Sequence, residues 1–206
     1  GIGKAGHIAK KFSATLCSTA TPSDFLHPAE AAHGDLGMVS NNDLLIAFST
    51  SGKSREVLEI LSMSRSLGVR KIIGVTSHAD SSLRDHADLV LDMGRIEEPC
   101  PLGLTPSSSM AVMLAISDGL ALALLEQKKV TKADYGLRHH GGYLGTAARD
   151  EKKYSGRDRT LLGIEIKNPA IFVFSKTVSL EKTLRYITAA INLRTTFCFS
   201  NAHRVF

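Results

Sequence analysis

Asp43-Leu44-Leu45-Ile46-Ala47-Phe48-Ser49 runs straight into Thr50-Ser51-Gly52-Lys53-Ser54, then into an amphipathic stretch from Arg55 to Leu67 and a second apolar run from Arg70 to Thr76. A short, continuously apolar run bounded by a Ser/Gly loop reads as a strand buried on both faces. Two such runs joined by a helix make a parallel βαβ unit, and right-handed crossovers extend it into a three-layer, doubly wound α/β fold. Ligands of such sheets sit at the carboxyl ends of the strands, so the informative loops belong on that edge. Working outward, Lys4 to Thr19 carries Ile8, Phe12 and Leu16 at helical spacing, and Ser23 to Leu26 reads as a short strand. Downstream come a short helix over Leu83 to Ala87, a strand over Asp88 to Asp92, a long helix over Ser107 to Gln127 and a short one over Lys132 to Arg138. No internal repeat or low-complexity segment interrupts this order.

The chain of 206 residues suffices for one domain with a substantial core. Cys17, Cys100 and Cys198 form no CxxC pair and suggest a reducing, cytoplasmic compartment without a disulfide framework. Met110 to Leu125 is the longest apolar run, broken by Ser117-Asp118-Gly119. It is shorter than a bilayer span and predicts a buried helix, apolar around most of its circumference, which would suit a subunit interface or a layer covered on both sides. Neither a membrane nor a nucleic acid is expected as a partner. The net charge of +5 is local: residues 1–150 carry 15 Lys and Arg against 16 Asp and Glu, residues 151–206 carry 10 against 4, and the basic tail shows no recognised nucleic-acid module.

Three loops are suited to an anion. Gly1-Ile2-Gly3-Lys4 opens a helix with its amides and a lysine. Ser49-Thr50-Ser51-Gly52-Lys53-Ser54 combines hydroxyls, a glycine turn and a helix N-terminus, which suits a phosphate monoester. Thr105-Pro106-Ser107-Ser108-Ser109 begins the long helix. One such cluster is usually an N-cap; three at strand-to-helix junctions point to a phosphorylated small molecule. Between them, His27-Pro28-Ala29-Glu30-Ala31-Ala32-His33-Gly34-Asp35-Leu36-Gly37 gathers two imidazoles and two carboxylates able to move protons near neutral pH, though a polar turn and short helix would use the same residues.

Gly-Ile-Gly-Lys-Ala-Gly-His-Ile, Leu-His-Pro-Ala-Glu-Ala-Ala-His-Gly-Asp-Leu-Gly-Met, Ser-Thr-Ser-Gly-Lys-Ser-Arg-Glu, Cys-Pro-Leu-Gly-Leu-Thr-Pro-Ser-Ser-Ser and His-His-Gly-Gly-Tyr-Leu-Gly occur in that order. Together they resemble the sugar isomerase (SIS) domain of arabinose-5-phosphate isomerases, over residues 1 to about 150. The resemblance implies the flavodoxin-like SIS sheet. It also implies interconversion of D-ribulose 5-phosphate and D-arabinose 5-phosphate through an enediol, feeding Kdo synthesis, with no cofactor. The family's functional positions fall on Lys4, His33, Glu56, Glu98 and His139. His139 or Glu98 would exchange the proton, Lys4 would offset charge near the enediolate, His33 would orient sugar hydroxyls, and Glu56 would act as a base or an anchor. Ser49, Ser51, Ser54, Ser107 and Ser108 are the phosphate candidates. Thr21 and His27 match substrate contacts, and the His27 position has also been treated as a metal contact. One imidazole falls short of the three or four ligands a metal needs, so no metalloenzyme is expected.

The sequence departs from the family pattern at Thr50 (usually Asn), Lys53 (often Glu), Ala20 (usually Gly) and His140 (usually Pro). The family places a long helix and a first strand before the GIGK motif, so the fold is expected to lack both. Residues 151–206 are a basic tail whose run Ala170-Ile171-Phe172-Val173-Phe174 is a candidate to cover the exposed sheet edge, ahead of a possible helix over Leu180 to Ile191 and an apolar run over Thr196 to Phe199. The alternative is a tail foreign to the fold. An ending at HHGG resembles the short isomerases without paired CBS domains, and the family leads to expect a homo-oligomer, a tetramer, with sites completed by a neighbouring subunit. Two other functions stay open: a non-catalytic SIS module that senses a sugar phosphate or nucleotide sugar, and another SIS enzyme such as a phosphoheptose isomerase.

Overall fold

Strand β1 (Leu44–Phe48) pairs in parallel with β2 (Lys71–Thr76), Leu44 opposite Lys71 and Phe48 opposite Val75, and β2 pairs in parallel with β3 (Leu89–Asp92). These are three of the four runs expected as strands, in the order β1-β2-β3. The computed structural model describes residues 1–148. Because side chains alternate along a strand, each strand feeds two cores. Ile46, Phe48, Ile73, Val75, Leu89 and Leu91 meet α1 (Gly3–Ser18) and α5 (Ser108–Gln127). Leu45, Ala47 and Ile72 meet α3 (Arg55–Ser66) and α4 (Leu83–His86). The three-layer, parallel α/β architecture expected from the sequence is the one observed.

One helical layer is α1 lying along α5. Phe12 of α1 packs edge-to-face on Phe48, with centroids 5.8 Å apart at 72°. Lys11 pairs with Asp118, and Lys128 Nζ donates to the Ala20 carbonyl at 3.0 Å. On the other side, Asp88 Oδ2 accepts from Arg65 at 2.6 Å and from the Ile72 amide at 2.7 Å, tying α3 to the start of β2 and β3.

Two expectations need correction. Helix α5 has 20 residues and a mean hydropathy of 1.8, enough by length and composition to cross a bilayer, so it is not too short for a span. Packing decides its reading as a core helix: Met113, Ile116, Ser117, Ala121 and Leu124 are buried against α1 and the sheet, while Leu114 and Leu122 stay exposed. Ser23 to Leu26 forms no strand. An apolar cleft of about 110 Å³, lined by Phe12, Leu16, Phe25, Leu45, Phe48 and Leu61 among others, lies along the edge of β1 beside it. A strand exists only through its ladder, and this segment pairs with none of the described strands.

Three elements were not anticipated as such: α2 (Pro28–Ala32), a one-turn 3-10 helix at Asp35–Met38, and α7 (Tyr143–Ala148). Helix α6 (Lys132–Arg138) matches its expected span and starts on a reciprocal Thr131–Asp134 capping box. The tail segments at 170–174, 180–191 and 196–199 lie outside the described residues.

Helix α1 ends in a Schellman motif, with Thr21 N–H on the Leu16 carbonyl at 2.8 Å and Ala20 N–H on the Cys17 carbonyl at 3.3 Å. Its left-handed residue is Ala20, at φ +66°, where the resembling family usually has Gly. An L-residue there costs about 1–2 kcal/mol, and glycine gives back roughly 0.4–1 kcal/mol through the unfolded chain. Ala20→Gly should therefore stabilise the protein by roughly 0.5–1 kcal/mol, read as a higher urea midpoint at unchanged slope.

Candidate functional site

The carboxyl edge of the sheet gathers most of the expected residues. β1 ends at Phe48 and leads into residues 49–54; β3 ends at Asp92 and leads through residues 93–107 to the N-terminus of α5. Gly1 belongs to the same edge, since a Cβ there would lie 3.0 Å from the Phe48 carbonyl oxygen, and Lys4 follows on the exposed first turn of α1.

The loop after β1 is held from below. The Thr50 carbonyl accepts from Thr76 Oγ1 at 3.1 Å and from the Ser77 amide at 3.0 Å, and it lies 3.1 Å from His78 Nδ1. Gly52 turns at φ +64°, packed so tightly that a Cβ would fall 1.8 Å from Ser81 Oγ. Above this base, Ser49 Oγ and Ser54 Oγ are 3.1 Å apart, and Ser51 Oγ accepts the Lys53 amide at 3.2 Å. Helix α3 begins here with no side-chain cap from Ser54, and Glu56 is exposed in its first turn. Hydroxyls, a lysine and uncapped helix amides thus converge at the start of a 12-residue helix, an arrangement that binds phosphate through N–H groups and the helix dipole.

The N-terminus of α5 is organised the opposite way. Glu98 Oε2 accepts from the Ser107 amide at 2.8 Å, Ser107 Oγ at 3.1 Å and the Ser108 amide at 2.8 Å, while Oε1 accepts from the Ser109 amide at 3.3 Å. Ser107 and Ser108, expected as phosphate contacts, here serve a carboxylate of the same chain. Burial works against its ionisation, but hydrogen bonds from Ser109 and Ser107 outweigh it and bring the Glu98 pKa down to about 2. Within the same loop Cys100 Sγ accepts from the Thr105 amide at 3.2 Å and the Leu104 amide at 3.3 Å, and these bonds lower its thiol to about 7. Sequence reasoning used Cys100 only as a sign of compartment; its place in CPLGLTP is the signal that could have shown this role.

His139 makes its hydrogen bonds and ring contact within its own segment, to Tyr135 and Gly136, rather than with this edge. Helix α5 runs away from the edge for ~30 Å, and Lys128 at its far end bonds Ala20 at the far end of α1. Residues 129–139 can retrace only about 20 Å of that length, which leaves His139 on the order of 10 Å or more from Ser107. It stands on the C-terminus of α6, stacked on Tyr135 and beside a shallow cavity of about 380 Å³ lined by residues 138–144. Thr21 also lies at the far end of α1, with its Oγ1 buried and unpartnered. His27 begins α2 next to Phe25, which packs near Gly6 of α1, and its Nδ1 is buried without a partner. His33 ends α2, exposed. Among the described residues no three His, Cys, Asp or Glu side chains gather to hold a metal ion, so His27 has no companion ligands and no metal step is drawn from it.

A parallel sheet covered on both faces, with an uncapped helix start among hydroxyls at its carboxyl edge, defines a doubly wound α/β domain. The SIS domain family matches residues 1–123, and the chain belongs to that family. It is 46% identical over 145 residues to the arabinose 5-phosphate isomerase KdsD of Pseudomonas aeruginosa, a match over 70% of this chain and 44% of that one; it thus spans less than half the length of the curated relatives it matches. Escherichia coli CFT073 c3406, solved in complex with A5P, is 46% identical with a TM-score of 0.64, over 66% of this chain and 72% of that one. A Bacteroides fragilis structure is 45% identical with a TM-score of 0.67, over 69% of this chain and 74% of that one.

Two outcomes follow from the loops. Gly52→Ala should destabilise the protein by about 2–4 kcal/mol, from positive φ and overpacking together, and Ser81→Gly in the same chain should recover part of it in a urea titration. Glu98→Gln should lower stability by about 0.5–2 kcal/mol at pH 7 through loss of an anionic cap. A carboxyl with a depressed folded pKa stabilises above its unfolded value of 4.5 and loses this as pH falls towards about 2. The gap between the two proteins should accordingly close between pH 4.5 and 2; a gap independent of pH would remove the cap.

Proposed function

We propose that this chain is the isomerase domain of an enzyme interconverting D-ribulose 5-phosphate and D-arabinose 5-phosphate, acting in the cytoplasm and supplying Kdo synthesis. The observation that carries the reading is 46% identity over 145 residues to isomerases of this specificity. The phosphate would lie at the start of α3, where Ser49, Ser51 and Ser54 surround uncapped amides and Lys53 adds a positive charge. The sugar would extend towards Lys4, His27 and His33. A base removes the C2 proton of the aldose and returns it to C1 while a proton passes between O2 and O1, so that atoms and charge balance through a 1,2-enediol. Lys4 offsets the charge of the enediolate.

The base is assigned to His139 rather than Glu98. A carboxylate held by three amides and a hydroxyl, ionised down to a pKa of about 2, is too weak a base for a carbon acid and serves better to hold the 93–107 loop. With His139 at the end of the short helix that follows α5, the functional unit in this reading is a homo-oligomer, a tetramer, in which the imidazole reaches the carboxyl edge of another subunit.

Incubation with ribulose 5-phosphate in deuterated water should place deuterium at C2 of the arabinose 5-phosphate formed. Tight sugar-phosphate binding without turnover would instead make the chain a binding module. His139→Asn should lower kcat by about 10²–10⁴. Lys4→Met and His139→Asn proteins, each inactive alone, should recover activity when unfolded and refolded together; no recovery would mean that each site is built within one subunit.

A further inference from the structure

His139 is held by one residue in two ways. Its Nδ1 lies 2.8 Å from the main-chain carbonyl of Tyr135, and its ring stacks on the Tyr135 ring with centroids 3.9 Å apart at 17°. Both contacts arise from where α6 stops. The carbonyls of a final helical turn lack their usual amide partner four residues on. The His139 amide turns instead to the Gly136 carbonyl at 3.2 Å, which leaves the Tyr135 carbonyl to the imidazole. The four-residue spacing also lays the two rings over one another on a single helix face.

We propose that Tyr135 is a positioning residue for His139: its carbonyl keeps the proton on Nδ1, its ring fixes the imidazole plane, and Nε2 is the nitrogen offered to the sugar phosphate. A carbonyl has no proton to give, so a hydrogen bond between it and Nδ1 requires N–H at Nδ1. In the neutral ring Nε2 then carries the lone pair, the reverse of the tautomer an unconstrained imidazole favours. Stacking and hydrogen bond together remove rotation about both side-chain bonds. The support beneath is stiff for so short a helix. Asp134 Oδ2 accepts the Thr131 amide at 2.9 Å, Thr131 Oγ1 accepts the Asp134 amide at 3.1 Å, and Arg138 donates to the Asp134 carbonyl at 2.7 Å. Past His139 the chain turns through Gly141 and Gly142, whose lack of side chains leaves the cavity of about 380 Å³ open beside the ring. The role of the imidazole as base rests on the isomerase reading; its tautomer does not.

The test uses the full chain labelled with 15N-histidine, at a pH about two units above the ordinary imidazole range, with His139 assigned by the signal lost in His139→Asn. The wild-type long-range 1H–15N spectrum should show a protonated Nδ1 and a lone pair on Nε2; a protonated Nε2 overturns the proposal. Tyr135→Ala and Tyr135→Leu, at a half-buried position on a terminal helix, should lower kcat at least about tenfold at little-changed KM, a fraction of what a positioned base supplies. Tyr135→Phe, which keeps the stacked ring, should restore it. Full kcat in both ring-deleting variants, or an effect on KM alone, also overturns it. If the wild-type protein turns over no ribulose 5-phosphate, the isomerase reading fails while the spectrum still decides the tautomer.

Discussion

Burial of β1 and β2 on both faces is the constraint from which the rest of this molecule follows. Leu45 and Ala47 need one apolar layer, Ile46 and Phe48 need another, and Ile72 against Ile73 and Val75 repeats the demand on the next strand. A parallel sheet meets it only with helical crossovers, because the chain must return to the amino edge before each new strand. Each return starts at the carboxyl edge, so the starts of α3 and α5 come to the same side of the sheet as Gly1. Placing phosphate-type loops together is thus a by-product of burying valine, leucine and isoleucine.

That logic explains what was legible in the sequence. β1, α3, β2 and β3 are continuous apolar or amphipathic runs whose partners are one another, and their expected ranges differ from the observed ones by a residue or two. Ser23 to Leu26 has a comparable apolar pattern, yet a ladder depends on what lies next to it, which composition cannot express. The contacts of Glu98 are illegible in the sequence for a related reason. Its role as cap of α5 is set by a carboxylate 9 to 11 residues upstream of the amides it accepts, outside the three-residue reach of an ordinary capping box. The Tyr135–His139 pair, four residues apart before two glycines, is legible in the sequence as two rings on one helix face.

The two helix starts on the carboxyl edge illustrate how one physical feature serves opposite ends. Both offer unpaired amides and a positive dipole end, and both are rich in serine. At α5 the chain supplies its own anion, which fixes the 93–107 loop and leaves Ser107 and Ser108 engaged. At α3 the anion must come from outside, and the loop is prepared for it by contacts that face away from the site: Thr76, Ser77 and His78 on the Thr50 carbonyl, Ser81 beneath Gly52. Of these two starts, only that of α3 has no anion from its own chain.

The length of α5 carries a further consequence for how such a site could work. A helix of 20 residues that starts at the carboxyl edge ends about 30 Å away. To bring His139 back the chain has four residues and a two-turn helix, which retrace about 20 Å at most. In the proposed oligomer, burying the exposed Leu114 and Leu122 of α5 would accompany delivery of the imidazole. Under that arrangement the stiffness of α6 matters more than it would in a monomer. A base delivered across an interface has no covalent path to its substrate, and its aim depends on the Thr131–Asp134 box and the Tyr135 stack.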